Sequence, residues 1–356
     1  MLNTGTIDEL CDIEYGTRVV KKNEKGTEYP VFGGGGESFR IDKFNRCDRL
    51  IVARFGMSLK CTRYVSGKFF LNDSGLTLCP KNKNLSQPYL DKLILNLNNQ
   101  IYSLGSGSAQ KNLRMDKFRL LNISYPSLLE QQRIVAKIDT AFAEINRLKE
   151  ISNKTGSIYS QLLKKILFQC LNNKNYNWTN KYLNEISTDL DSKRKPITKS
   201  KRIKGLTPYY GASGIVDYVQ GYIFDDELLL ISEDGANLIS RSYPIAFSIN
   251  GRSWVNNHAH VLKFNSKDMQ SWVEIYLNYK NIDDFISGMA QPKLNKAKLN
   301  QIPIPIPEVS KLKELIETIV NAKEIIRKAD INLTNKSELL DNLKSSFLKK
   351  ELNMNL

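Results

Sequence analysis

The chain has little of what marks a secreted, membrane-bound or metal-stapled protein. Its five cysteines (Cys11, Cys47, Cys61, Cys79 and Cys170) are odd in number, scattered and never spaced CxxC. That argues against a disulfide framework and against a structural zinc site. Long apolar runs are missing: the longest are short, such as Leu228 to Ile231, where a membrane-spanning helix needs about 20 residues. The opening MLNTGTIDEL has neither a basic n-region nor an apolar h-region. No secretory signal is therefore expected, and the expected location is the cytoplasm, with no membrane partner. Acidic residues are in deficit: 52 Lys and Arg stand against 37 Asp and Glu, a net charge of +15 in 356 residues. Such an excess points to a polyanion, double-stranded DNA first.

Catalytic strings are scarce too. Phe32-Gly-Gly-Gly-Gly36 contains the F-x-G-x-G string of adenosylmethionine-dependent methyltransferases, but polar Glu37 and Ser38 follow it and no N-P-P-Y or D-P-P-Y string occurs. It reads as a glycine turn. Gly105 to Asn112 has Gln110 where a phosphate loop needs glycine and Asn112 where it needs Ser or Thr. His258 and His260 are the only histidines. They could share one strand face but have no evident third ligand, and nothing beside them marks an activated nucleophile. The expectation is a chain without catalytic residues, bound metal or cofactor of its own.

What the sequence does have is a repeat, the feature to seek before any fold is chosen. Residues 29–33 read YPVFG and 207–211 read TPYYG; residues 107–113 read GSAQKNL and 288–294 read GMAQPKL. The second pair is offset by 181, and at the same offset Pro126 falls on Pro307. After each proline a long helical pattern begins. Positions 312, 315, 319, 322, 326, 329, 333, 336, 340, 343 and 347 alternate threes and fours and are apolar except Lys336. That is the seam of a coiled coil, with Leu315, Ile319, Ile326, Leu340 and Leu343 as its markers. In the first half Ile134, Ile138, Ile145 and Leu162 keep the same seam, while Gln131, Ser152 and Thr155 interrupt it.

The layout expected is α+β: two similar mixed globular domains, residues 1–126 and 172–307, separated by two long helices over 127–171 and 308–356. Pairing of the seams within one chain makes the helices antiparallel and the repeat pseudo-two-fold. Arg49 to Arg54 and Glu227 to Ser232 read as short strands, and Pro88 to Tyr102 and Ser271 to Ile286 as amphipathic helices.

Phosphate-binding candidates recur at matching places. Lys193 to Lys204 holds seven basic residues in twelve, Arg194, Lys195, Lys201 and Arg202 among them. The first half has Arg18, Lys21, Lys22 and Lys25, then Arg40, Lys43, Arg46, Arg49 and Arg54. The repeated Ala-Gln-x-x-Leu loops (Ala109, Gln110, Leu113; Ala290, Gln291, Leu294) carry Lys111 and Lys293. Glutamine suits adenine readout or phosphate contact; an alternative is a loop that merely packs at the helix base.

These strings resemble the specificity subunits of type I restriction–modification systems. The resemblance rests on Leu128-Leu-Glu-Gln-Gln-Arg-Ile-Val135 after a proline-ended strand, on Ser106 to Leu113, on Glu233-Asp-Gly-Ala-Asn-Leu238 and on Trp254 to Leu262, and it spans essentially the whole chain. Tyr125-Pro126-Ser127 has one proline where the family has two, and the second helix opens Glu308-Val-Ser-Lys311 without the Glu-Gln pair. The resemblance implies a non-catalytic DNA-reading subunit with a bipartite, asymmetric target. It also implies partners: two methyltransferase subunits docked on the helices, and restriction/translocase subunits. S-adenosylmethionine, ATP and Mg2+ would be handled by those partners. Two other readings stay open: the specificity part of a type II-like fused restriction–methylation system, and a coiled-coil assembly protein whose charge serves solubility.

Overall fold

A computed structural model describes residues 2–107, 110–288 and 290–353. The chain forms two compact units, one of residues 1–154 with 332–356 and one of the continuous stretch 155–331. Both long helices therefore contribute one part to each unit.

In the first unit a six-stranded sheet runs in the order Cys11–Tyr15, Gly75–Pro80, Arg46–Ala53, Thr62–Leu71, Tyr29–Phe32, Glu37–Ile41. All neighbours are antiparallel except Tyr29–Phe32, which lies parallel to Thr62–Leu71 with Val31 opposite Phe70. Asn3–Thr6 pairs with Asn122–Tyr125 and ties the start of the domain to the strand before the first long helix. The stretch expected as one helix over Pro88 to Tyr102 is two, Gln87–Asn96 and Asn98–Ser103, separated at Leu97.

The second unit repeats this plan with its sheet divided in two. One sheet orders Thr188–Asp189, Ala259–Lys263, Leu228–Ser232 and Ala246–Ile249; the other orders Gly214–Val219, Lys204–Gly211, Arg252–Val255 and Phe224–Asp225. Here too the TPYYG strand has a parallel neighbour, Tyr209 lying opposite Trp254. Thr179–Lys181 pairs with Ile304–Ile306, the counterpart of the first unit's terminal clasp. The helix read over Ser271 to Ile286 runs instead over Lys267–Tyr279, started by Ser266 accepting from Met269 N.

The long helices are continuous over Leu128–Leu171 and Val309–Asn353. Within the first unit they are antiparallel: Lys137 pairs with Glu351, Asn146 with Lys344, and Lys149 with Asp341. Ile134, Ile138 and Phe142 share one core with Leu348 and Leu352. In the second unit Cys170 and Leu171 share a core with Leu312, Leu315, Ile316 and Ile319. Ile145, Ile326 and Leu340 are buried as well.

Leu162 and Leu343 do not hold the seam. They are 46% and 52% exposed. A strict repeat of 3.5 residues drifts by about 20° per heptad on a straight helix of 3.6 residues per turn. Over four heptads the far positions rotate off the buried face. The burial follows eleven-residue steps instead, as in Gln131 to Phe142, Ile134 to Ile145 and Leu315 to Ile326, which are about three turns of an ideal helix. Gln131, read as an interruption, is fully buried: it accepts from Ser86 N and donates to Asn84 O and Pro126 O at 2.7–2.8 Å.

Candidate nucleic-acid interface

The repeated glycine–glutamine loops dock in the same way in both units. In the first, the turn after strand Arg46–Ala53 takes the loop through Met57 N to Lys111 O and Leu113 N to Arg54 O, both 2.8 Å. In the second, Gly235 N donates to Pro292 O at 3.0 Å and Leu294 N to Glu233 O at 2.8 Å. Gly107 and Gly288 sit at φ +117° and +84°, and a Cβ on either would come within 2.4 Å of the carbonyl of Gln110 or Gln291. Only glycine fits there. Gln110, Gln291 and Ala290 are exposed beside the buried anchors Leu113 and Leu294. Ala109 lies outside the described residues.

The turns that receive these loops differ in chemistry. In the first unit Arg54 lies over the rings of Tyr15 and Phe55, at 4.5 and 4.6 Å, and donates to Asp73 O. Lys111 sits 3.7 Å from the ring centre of Tyr102. In the second unit the corresponding residue is Glu233, inside a buried ionic network. Arg194 bonds Glu233 at 2.7 Å and approaches Asp191 at 3.3 Å; Lys293 pairs with Glu233 at 3.2 Å. His260, buried, bonds Asp191 at 2.6 Å and the carbonyl of Leu294 at 2.8 Å. Burial pushes the Asp191 and Glu233 carboxyls up, but the hydrogen bonds from His260 to Asp191 and from Arg194 and Lys293 to Glu233 outweigh it and hold both below the usual range. Asp191, Glu233 and His260 offer ligand atoms within 4.8 Å of one another. Arg194 and Lys293 bring positive charge to these carboxylates, so the arrangement is an ion-pair network that seats the loop. The exposed His258 bonds Asp234 at 2.9 Å.

The basic run Lys193 to Lys204 is sorted by residue type. Arg194 is enclosed in the network and also donates to Ala259 O. Arg202 pairs with Asp217 at 3.1 Å, donates to Ile197 O and covers the ring of Tyr209. Both arginines expected to contact phosphate are thus taken up within the chain and shape the segment. Lys193, Lys195, Lys199, Lys201 and Lys204 are exposed and make no ion pair among the described residues. In the first unit Arg18, Lys21, Lys22 and Lys25 are likewise exposed and free of ion pairs among the described residues, whereas Arg40, Lys43 and Arg46 pair with Glu37, Glu24 and Glu14. In both units the free cations precede the hairpin that carries the repeated Y/T-P string.

Asp191 is not singled out in the sequence, and Glu233 and Tyr209 appear there only inside repeated or family-like strings, without these roles. The i,i+3 spacing of Asp191 and Arg194 was a legible signal for a local ion pair. Its closure by Glu233 and His260, about 40 and 70 residues away, was not.

A family described as the type I restriction modification DNA specificity domain matches the chain twice, over residues 2–154 and 175–338. A curated Haemophilus influenzae protein, described as a type I restriction enzyme specificity subunit, is 40% identical over 139 residues, 39% of this chain. That match spans 36% of the relative's length. Among solved structures, a chain from a type I restriction–modification complex covers 99% of this chain and 97% of itself at 14% identity, with a TM-score of 0.73. The HsdS subunit from Thermoanaerobacter tengcongensis covers 100% of this chain and 97% of itself at 16% identity, with a TM-score of 0.55. At these identities the two structures support the fold alone.

Proposed function

Because the chain belongs to the type I restriction–modification DNA specificity family, we propose that it is the sequence-reading subunit of such a system and that each unit reads one half of a bipartite target in double-stranded DNA. The observation that supports this most directly is the twofold use of one device: a glycine–glutamine loop docked by equivalent backbone bonds on the turn after a central strand. The surroundings of that device differ, Arg54 and stacked aromatics in one unit and a closed Glu233 network in the other. Two such units would read two different half-sites, so the target is asymmetric.

The free lysines would supply phosphate contacts, which give affinity without sequence preference, and the exposed Gln110 and Gln291 base-edge contacts, which give preference. The paired helices set the length of the unread spacer and dock two methyltransferase subunits. Restriction/translocase subunits join that assembly. Adenine methylation from S-adenosylmethionine and ATP- and Mg2+-dependent cleavage belong to the partners, and this chain is not catalytic.

Methylome sequencing of cells with and without this gene tests the reading. The expected result is a gapped, asymmetric adenine-methylated motif that vanishes with the gene; an unchanged methylome overturns it.

A further inference from the structure

The hairpin at the end of the basic run is irregular at its start. Strand Lys204–Gly211 pairs with Gly214–Val219, but Lys204 and Thr207 both lie opposite Val219. Gly205 and Leu206 are therefore extruded as a bulge, a device that re-aims a side chain out of a ladder. The bulge depends on Gly205: a Cβ there would lie 2.3 Å from the carbonyl oxygen of Val219. Its effect is on Leu206, which is 95% exposed, more than any other large apolar side chain among the described residues. Ile203, two residues before the bulge, is 67% exposed.

The surroundings say what such a side chain meets. Lys199, Lys201 and Lys204 are exposed and make no ion pair among the described residues, and Arg202 holds the segment through Asp217 and the Tyr209 ring. An apolar side chain projecting from a rigid hairpin among free cations matches duplex DNA, where phosphates flank base steps that an apolar wedge can part. A membrane surface would instead call for a broad apolar face; Ile215, Val216 and Tyr218 of the paired strand are about half exposed, and Leu206 projects beyond them from the bulge among lysines.

We propose that Leu206 is a wedge that enters one base step of the half-site read by the second unit, with Lys199, Lys201 and Lys204 on the adjoining phosphates. The proposal rests on the DNA-reading function proposed above. It is confined to one half of the chain: aligning YPVFG with TPYYG puts acidic Glu28 at the position of Leu206.

The test uses the full chain in its methyltransferase complex and duplexes carrying 2-aminopurine at successive positions across the methylated motif. A parted step unstacks the probe and raises its fluorescence. The expected result is a rise at one step in the second unit's half-site. Leu206→Ala should cut that rise at least about fivefold, Leu206→Met should keep it, and Glu28→Ala should leave it unchanged. The salt dependence of binding and the thermal melt should match the parent in all three variants, since Leu206 packs on little. A rise that persists in Leu206→Ala, or no rise at any position on a duplex that is bound and methylated, overturns the wedge while the reading of function stands. Failure to bind or methylate any duplex overturns both. Leu206-dependent sedimentation with phosphatidylglycerol vesicles, without the fluorescence rise, would make the side chain a membrane contact and the wedge wrong.

Discussion

Replacing Lys199, Lys201 and Lys204 together with Gln should weaken binding to every duplex by a similar factor, and the size can be worked from their setting. All three are exposed and free of ion pairs among the described residues, so removing them leaves no partner stranded and fold stability should stay within about 0.5 kcal/mol. Each phosphate contact contributes about 0.9 to the slope of log affinity against log salt. If all three sit on phosphates, the slope falls by about 2.7 and affinity near 0.1 M salt by up to about 500-fold. Arg194→Gln is the contrast. Its side chain is 14% exposed between Asp191 and Glu233, and breaking such a buried pair costs about 3–5 kcal/mol. Lys293 and His260 remain beside the carboxylates, so the lower end is expected. Fluorescence anisotropy with a labelled duplex at about 50 to 200 mM salt, beside thermal melts, separates the two effects. An unchanged slope in the triple-lysine variant would refute the assignment of free lysines to phosphate. So would a slope change in Arg194→Gln at unaltered stability.

Three further outcomes follow from single buried groups. Burial pushes the Asp91 carboxyl up to about 6 from 3.8, against the hydrogen bond from Gln87; a raised pKa means stability held at low pH and lost as pH rises through about 6, by roughly 3 kcal/mol. Because the unfolded carboxyl already ionises above 3.8, urea unfolding at pH 5 and pH 8 should show about half of that loss, about 1.4 kcal/mol, in the parent and none of it in Asp91→Asn, and parallel curves would count against it. Gln131→Leu strands Ser86 N and the carbonyls of Asn84 and Pro126; the expected cost in urea melts is about 2–3 kcal/mol, and a neutral change would mean the three bonds are dispensable. Ile138→Asp places a carboxylate in the core of Phe142, Leu348 and Leu352 and should abolish amide protection in residues 1–154 and 332–353 but not in 155–331; equal loss in both would contradict two separate units.

The long helices were legible because an apolar stripe over some 40 residues outlasts anything a strand or a loop can imitate. They begin at Leu128 and Val309, one residue after the expected starts, and the first ends at Leu171 as expected; the expected end of the second, at 356, lies outside the described residues. The phase of the stripe was less legible, because a heptad template is stiffer than a real helix; this is why Leu162 and Leu343 face solvent. The repeated glycine–glutamine loop could be found from the sequence because glycine is obligatory where a Cβ would strike a carbonyl, as at Gly107 and Gly288. The division of the basic run was hidden. Arg194 and Arg202 look like their lysine neighbours until Glu233, Asp191 and Asp217 are brought in by the fold. Composition counts charges but does not say which are already paired. Gln131 misled for the opposite reason: a polar side chain on a buried stripe reads as a gap unless its partners are known, and two of the three, Ser86 and Asn84, lie more than 40 residues away.

The central claim is that each globular part independently reads one half of the target. It is tested most directly by replacing residues 172–307 with a second copy of residues 1–126, keeping both long helices, and sequencing the methylome of cells that carry the altered gene with its partner subunits. The account predicts that the half-site assigned to the first part now occurs twice in the methylated motif, at an unchanged spacer, and that the other half-site disappears. Retention of the original second half-site, in a complex that still methylates DNA, would contradict it.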